Sequence, residues 1–389
     1  MNVYLDNQAT TPCDPRVVEA MLPYFTTVFG NPHSAGHAFG HAAAAAVEIG
    51  REQVASLIGA EAREIVFTSG ATEANNLAIK GAVRHRIAQG NKARRVITVA
   101  TEHKCVLESV HELAAEGCEP LVLPVQPDGR LDPGLLADAL RVPTLLVSIM
   151  AANNETGVLH DLSLLAPIAR AAGATMHSDM AQLAGKLPVT LDDCDLASFS
   201  AHKMYGPKGV GALYVRRRPR VRLQPLFSGG GQERGLRSGT LPSASIVGFG
   251  VACALAQAEM ADEARRTRML RDRLWEGLHR AMPGLVSNGD SQHRLPGALN
   301  LRLPAPLRAL ELIDAMPDLA VSTGSACSSA DVVPSYVLTA MGLTAEEAAR
   351  SLRLSVGRFT SSADIAQAIE IVCRALHSLA FQDGSTCLI

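Results

Sequence analysis

The chain is 389 residues long, a length that favours two packed subdomains over a single core. Apolar residues make up 47% of it and charged residues 19%, which predicts a globular protein. With 36 basic and 38 acidic residues the formal net charge is -2, so bulk charge draws the chain neither to nucleic acid nor to a membrane.

The N-terminal sequence MNVYLDNQATTP has neither the basic nor the apolar region of a signal peptide. No stretch approaches the roughly 18 uninterrupted apolar residues of a membrane span. The eight cysteines form no CxxC pair, which argues against a disulfide framework or a zinc ribbon. These features predict a cytoplasmic protein that does not associate with membranes.

Short apolar runs alternate with helical segments between residues 60 and 216. The predicted strands are EIVFTS (64–69), RRVITVA (94–100), TLLVSIM (144–150), TMHSD (175–179), DLASFS (195–200) and VGALYVR (210–216). Helices are predicted at 72–89, 104–116 and 162–172. The alternation indicates an α/β architecture with a mainly parallel central sheet, in which ligands bind beyond the carboxyl ends of the strands.

From Ser243 the pattern predicts one long amphipathic helix that ends at Pro283 and Gly284. The sequence after it mixes short strands with helices and predicts a smaller α+β domain. We therefore predict a large domain at 14–260 and a small domain formed by 1–13 and 261–389.

Polar residues follow several of the predicted strands. In SGATEANN (69–76), Gly70 separates a strand from a helix that opens at Ala71 and Thr72, so either a phosphate cradle or an ordinary helix cap fits. The chain has no GxGxxG or Walker A sequence, which disfavours nucleotide binding. Asp179 ends another strand, where it caps the next element or pairs with a cation such as a pyridinium nitrogen.

In SFSAHKMYGPKGVG (198–211), Lys203 lies between a strand that carries hydroxyls and the glycine-rich turn GPKG. A lysine that binds pyridoxal phosphate (PLP) needs a fixed backbone, phosphate-binding groups nearby and an environment in which its amine can lose a proton. This stretch offers all three. It is the strongest functional signal in the chain.

In this order, SGAT, Asp179 and SAHK resemble the aspartate-aminotransferase-like fold, fold type I of PLP-dependent transferases. Within it, the chain resembles the class V branch and its NifS/IscS-type cysteine desulfurases over nearly its whole length. The matching motifs are YLDNQATTP, FGNPHS, EIVFTSGATEANN, TEHKCV, NNETG, SFSAHKMYGPKGVGALYVRR, GGGQERGLRSGT and STGSACSS.

The resemblance implies a role for each matching residue. Lys203 would link covalently to PLP, Asp179 would pair with the ring nitrogen, and His103 would stack on the ring and assist proton transfer. The phosphate ligands would be Ala71, Thr72, Ser200 and His202, with Asn154 and Gln182 near the phenolic oxygen and Thr240 reaching the phosphate of the neighbouring subunit in a homodimer.

The resemblance also implies the substrate chemistry. Cys327, in a loop of small residues, would take sulfur from L-cysteine as a persulfide, leaving L-alanine, and pass it to an acceptor protein such as an iron-sulfur scaffold. Arg353, in preference to the nearby Arg358, would hold the substrate carboxylate, assisted by Asn154.

Four alternatives stay open from the sequence. The PLP residues also fit a selenocysteine lyase or another β-eliminating class V enzyme, and the fold could serve a non-catalytic sulfur carrier.

His33, His37 and His41 are spaced by four, but Gly36 and Gly40 interrupt them, so we predict loop histidines and no metal site. The basic run at 216–222 is predicted to be a solvated edge in preference to a docking patch.

Overall fold

The computed structural model of the chain describes residues 2–324 and 334–382. A seven-stranded sheet forms its centre, with two smaller sheets beside it. The strands are β1 (Val3–Tyr4), β2 (Ile65–Thr68), β3 (Arg95–Val99), β4 (Glu119–Leu123), β5 (Thr144–Ser148), β6 (Thr175–Asp179), β7 (Leu196–Ser200), β8 (Gly211–Val215), β9 (Val286–Ser287), β10 (Ala298–Arg302), β11 (Leu319–Ala320) and β12 (Ser351–Ser355).

The order of the large sheet is β2-β8-β7-β6-β5-β3-β4, and β8 is antiparallel to both of its neighbours. The predicted α/β class with a mainly parallel sheet is confirmed. β8 runs the other way because only a short loop joins it to β7, whereas a parallel pair needs a longer crossover. The sequence prediction missed β4, a short edge strand that contains Pro120 and has no long apolar run.

The helices flank the sheet and build the second domain. They are α1 (Pro15–Met21), α2 (Pro23–Thr26), α3 (Ala38–Ile58), α4 (Ala71–Ala88), α5 (Lys104–Glu112), α6 (Pro133–Ala139), α7 (Leu162–Ala171), α8 (Ser243–Ala281), α9 (Ala309–Asp314), α10 (Tyr336–Ala340), α11 (Ala345–Ala349) and α12 (Ser362–Gln382). α8 is the long helix that the sequence predicted.

One local prediction was wrong. His41 lies inside α3, and His37 is the N-cap of that helix, where its ring nitrogen accepts a hydrogen bond from Gly40. Gly40 is part of the helix, and its missing side chain allows the backbone of Ser34 to approach closely. Of the three histidines, only His33 lies outside the helix and its cap.

Apolar side chains alternate between the two faces of the sheet, so Ile65 and Phe67 pack in one core cluster while Val66 packs in another. A third cluster joins Leu5, near the N-terminus, to Leu270 and to the C-terminal elements. α8 contributes to the first cluster with its N-terminal half and to the third with its C-terminal half. The boundary near residue 260 therefore falls inside one continuous helix, and the domain ranges stay a prediction.

By length and composition alone, α8 is apolar enough to cross a membrane. In this fold the apolar half of the helix packs against α3, and Ile246, Phe249 and Cys253 lie in the core. Packing against other helices of the same chain explains the apolar composition of α8.

Candidate active site

A cavity of about 480 Å³ opens where the carboxyl ends of β3, β5, β6 and β7 meet the N-terminus of α4. Ten of the twelve residues predicted from the sequence line it: Ala71, Thr72, His103, Asn154, Asp179, Gln182, Ser200, His202, Lys203 and Arg353. The fold thus gathers residues that are as much as 282 positions apart. Thr240 is exposed and does not line this cavity, and Cys327 lies outside the described residues.

Lys203 is held on a short helical turn, Ala201–Lys203, directly after β7. Gly206 allows that turn to fold back, since a side chain there would meet Ala201. The Lys203 amine donates hydrogen bonds to the backbone carbonyls of Gln8 and Ala9, at 2.7 Å each. The amine therefore has a fixed position on the wall formed by the N-terminal segment.

Asp179 ends β6 and is only 7% exposed. Its Oδ2 accepts a hydrogen bond from Asn75 Nδ2 at 2.7 Å, and its Oδ1 accepts one from the backbone N–H of Ala181 at 2.9 Å. Two neutral donors thus fix both oxygens of a nearly buried carboxylate. Such a group is suited to bind a positively charged ring nitrogen.

His103 is the N-cap of α5, and its Nδ1 accepts a hydrogen bond from the backbone N–H of Cys105. Burial lowers the pKa of His103, with Lys203 and Lys104 acting in the same direction and Asp179 opposing them. The imidazole is therefore neutral at neutral pH. A neutral, oriented ring can stack on a flat ligand and accept or donate a proton.

Cys105 is a second thiol in the cavity, 3.0 Å from His103 Nδ1 and 3.2 Å from Asn75 Nδ2. Burial and the nearby Asp179 carboxylate raise the pKa of this thiol to about 12. Cys105 is therefore a protonated thiol at neutral pH and a poor nucleophile. Cys105 was not among the site residues predicted from the sequence.

The predicted phosphate end of the cavity is formed by the N-terminus of α4. The helix begins at Ala71, so the first backbone N–H groups of its 18 residues point toward the cavity. Glu73, in the first turn, forms an ion pair with Arg237 at 2.9 Å. The Arg237 charge offsets that of the Glu73 carboxylate, which would otherwise repel an anion at this end of the cavity. Gly211 lets β8 pass close by, because a side chain there would lie 2.7 Å from Gly70 Cα.

The far wall of the cavity carries Arg353, whose side chain is 2% exposed. Its guanidinium pairs with Asp6 at 2.7 Å and donates to the backbone carbonyls of Asn154 and Gly324. Arg358, the competing choice, lies outside this cavity. It pairs with Asp14 and Glu263, and its guanidinium lies 4.3 Å from the centre of the Tyr205 ring.

Sequence reasoning missed the polar layer beneath the cavity. His177 Nδ1 lies 2.8 Å from Ser148 Oγ and its Nε2 lies 3.0 Å from Ser198 Oγ, so it links three neighbouring strands. Burial lowers the pKa of His177 to about 3, and burial beside Asp179 raises the pKa of Glu102 well above its ordinary value. Polar residues within otherwise apolar strands, as in TMHSD and DLASFS, were the available signal.

Among residues 2–324 and 334–382, no group of three or more His, Cys, Asp or Glu side chains is placed to hold a metal ion. The basic run borders two further cavities, to which Arg220 and Arg222 both contribute.

The family model for aminotransferase class-V matches residues 3–367 of this chain. Cysteine desulfurase IscS of Rickettsia bellii (strain OSU 85-389) is 50% identical over 379 residues, which cover 97% of this chain and 92% of the relative. The relative from Rickettsia typhi (strain ATCC VR-144 / Wilmington), which has the same name, is 49% identical with the same coverage.

Solved structures are also similar to this chain over most of its length. One described as a NifS-like protein superposes with a TM-score of 0.90 at 35% identity, covering 97% of this chain and all of the other. Another, described as SspA in complex with cysteine, has a TM-score of 0.79 at 35% identity and covers 92% of this chain and all of the other. The likeness therefore extends over both the central sheet and the C-terminal elements.

Proposed function

We infer that this chain, which belongs to the aminotransferase class-V family, is a cysteine desulfurase that converts L-cysteine to L-alanine in the cavity around Lys203. One observation carries the assignment of the site. Lys203, Asp179 and Arg353, which lie on three separate elements, line the same cavity. The full-length similarity to relatives named cysteine desulfurase supports the reaction.

Class V aminotransferases and cysteine desulfurases are PLP enzymes, and the cavity fits each end of that cofactor. Lys203 offers the amine for the aldehyde, Asp179 offers a buried carboxylate for the ring nitrogen, and the N-terminus of α4 offers backbone donors for the phosphate. The cavity volume of about 480 Å³ leaves room for a small amino acid beside the cofactor. When bound, PLP supplies a ring that withdraws electrons from the substrate Cα.

The protein's own groups position the substrate and move its protons. Arg353 presents a planar guanidinium to the α-carboxylate, and its bonds to Asp6 and Asn154 keep it from rotating. The Lys203 amine takes the proton from Cα and returns it later in the reaction. His103, which is neutral, lies on the wall of the same cavity and assists proton placement.

The sulfur acceptor in this proposal is the Cys327 thiol. The carbon–sulfur bond of L-cysteine breaks, a sulfur–sulfur bond forms at Cys327 Sγ, and the substrate Cβ gains a proton. The products are L-alanine and one enzyme persulfide, with no other oxidant or reductant needed. A sulfur-acceptor protein, such as an iron-sulfur scaffold, would then take the sulfur from Cys327.

We further infer a homodimer. Thr240 is exposed and lies outside the cavity of its own chain, which is consistent with a role in the neighbouring subunit. Exposed apolar side chains near the N-terminus provide a surface for that contact: Leu22, Phe25, Phe29 and Phe39. The expected cytoplasmic location stays a prediction.

The test is a paired assay of alanine and sulfide formed from L-cysteine by the PLP-loaded protein, with excess thiol reductant. We expect equal amounts of the two products. Lys203→Ala is expected to abolish both, and Cys327→Ser is expected to abolish both while the yellow colour of bound PLP remains. Cys373→Ser, which alters a cysteine in α12, is the matched control and should behave like the unaltered protein.

Pyruvate in place of alanine would contradict this proposal and indicate β-elimination. Full turnover by Cys327→Ser would show that the sulfur leaves without a protein thiol at that position.

A further inference from the structure

A second lysine lies directly behind the cavity, in the turn after β6. Lys186 Nζ donates a hydrogen bond to Gln182 Oε1 at 2.9 Å. Gly185 brings this turn close to the Lys203 turn, since a side chain at Gly185 would lie 2.9 Å from Met204 Cβ. Lys186 also borders a separate cavity of about 30 Å³, too small for a ligand.

A chain of hydrogen bonds connects the two lysines. Gln182 Nε2 donates to the Gln8 carbonyl at 2.9 Å, and the same carbonyl accepts from Lys203 Nζ at 2.7 Å. When Lys186 is protonated it can only donate, so the oxygen of the Gln182 amide must then face it. The amide nitrogen must then face Gln8. Lys186 thus fixes the orientation of a side chain on the cavity wall.

The charge of Lys186 is poorly compensated. Within residues 2–324 and 334–382, no carboxylate lies within ion-pair distance of its amine. The carboxylate that partly offsets this charge is Glu263. Glu263 already forms an ion pair with Arg358 at 2.8 Å. Burial, together with repulsion from Lys203, lowers the pKa of Lys186 to about 7.

We propose that Lys186 is a positioning residue for the desulfurase reaction, which orients Gln182 and whose charge controls the protonation of the Lys203 nitrogen. The proposal rests on the proposed function, because it assigns Lys186 a role through Lys203. A positive charge at Lys186 makes protonation of Lys203 less favourable. Lys203 is thereby more readily available as a base at neutral pH.

Other charged groups face the same two amines and stay in place in the test. Those that line the cavity with Lys203 are Glu73, His103, Lys104, Cys105, Glu155, Asp179, His202, Lys208, Tyr336 and Arg353. Those around Lys186 are His202, Tyr205, Glu263 and Arg353. Since no variant below alters them, a difference between variants reports the charge at position 186.

The experiment compares Lys186→Met, which is neutral, with Lys186→Arg, which is permanently charged. The full-length protein is loaded with PLP, and its visible absorption is titrated with pH to find the midpoint at which the cofactor-linked nitrogen loses its proton. We expect the Met midpoint to lie about one pH unit above the Arg midpoint, with the unaltered protein between them. Lys92→Met, which removes an exposed charge far from the cavity, should leave the midpoint unchanged.

Equal midpoints in the Met and Arg variants, with full PLP content in both, would overturn the role of Lys186. An unaltered protein that binds no PLP would instead overturn the proposed function, so the two failures are distinguishable. If Lys186→Met does not fold, Lys186→Gln provides the neutral member of the same comparison.

Discussion

Arg51, in α3, and Glu233 form a buried ion pair that fixes the loop leading to Thr240. Two nitrogen–oxygen contacts of 2.7 Å join them, and the side chains are 4% and 2% exposed. The same carboxylate accepts the backbone N–H of Phe67 in β2 at 2.7 Å. The pair therefore connects a helix, an edge strand and the 229–240 loop.

Replacing Glu233 with Gln keeps the shape of the side chain but leaves the Arg51 guanidinium charged and buried. Breaking a buried pair on one side costs about 3–5 kcal/mol. For a chain of this size the unfolding entropy is about 0.8 kcal/mol per kelvin, so we expect the melting temperature to fall by roughly 4–6 °C. The double variant Arg51→Met with Glu233→Gln should lose less than the sum of the single losses, because no buried charge remains.

The assay is thermal unfolding of the PLP-loaded protein, followed by tryptophan fluorescence. The matched control is Asp138→Asn, which breaks the surface pair with Arg141, where the side chains are 66% and 82% exposed. Surface pairs contribute about 1 kcal/mol or less, so the control should shift the melting temperature by about 1 °C or less. Equal shifts for Glu233→Gln and Asp138→Asn would refute the reasoning from burial.

Three further outcomes follow from the site. Arg353→Lys should raise the KM for L-cysteine by about 10- to 100-fold while PLP still binds, because an ammonium group cannot make the two parallel hydrogen bonds of a guanidinium to a carboxylate. Steady-state kinetics test the KM, and absorption spectra test PLP binding. Cys105 should resist iodoacetamide at pH 8 in the native protein and react in urea, as mapped by peptide mass spectrometry, because its thiol stays protonated. Gly211→Ala should lower the melting temperature by several degrees, since the added carbon would lie 2.5 Å from the Phe199 carbonyl oxygen.

Much of the fold was predictable because its signals are local. Alternating apolar runs and helical segments specify a mainly parallel sheet, and the polar residue after each strand marks the edge at which ligands bind. Asp179 ends β6 and Lys203 follows the neighbouring β7, so their proximity comes from the topology alone. The choice of Arg353 over Arg358 rested on resemblance, and the cavity lining is consistent with it.

The groups that sequence reasoning missed interact over long distances in the chain. The carbonyls of Gln8 and Ala9 reach Lys203 across more than 190 positions, and nothing in the sequence of a backbone carbonyl indicates a partner. Gln182 was assigned to the cofactor, but its link to Lys186 depends on how the turn after β6 packs. Local patterns thus identify the reactive residues, whereas tertiary packing determines how their side chains are oriented.

Acid should destabilise this protein through its buried histidines, of which His177 is the clearest case. Burial lowers the pKa of His177 to about 3, whereas an unfolded histidine has a pKa of about 6.5. Because the pKa of His177 is lower in the folded protein, the unfolded chain takes up the proton at a higher pH than the folded protein does. The stability that the neutral ring contributes above pH 6.5 is therefore lost as the pH falls. The loss is about 1.4 kcal/mol per pH unit between pH 6 and pH 4.

His177→Gln keeps a donor and an acceptor between Ser148 and Ser198 but cannot take up a proton in this range. We therefore expect its melting temperature to fall less steeply than that of the unaltered protein between pH 6 and pH 4, whatever its stability at pH 7.5. His111→Gln, at an exposed position, should leave the slope unchanged. If His177→Gln and the unaltered protein lose stability in parallel, protonation of the buried ring does not contribute to acid unfolding, and carboxylates account for it instead.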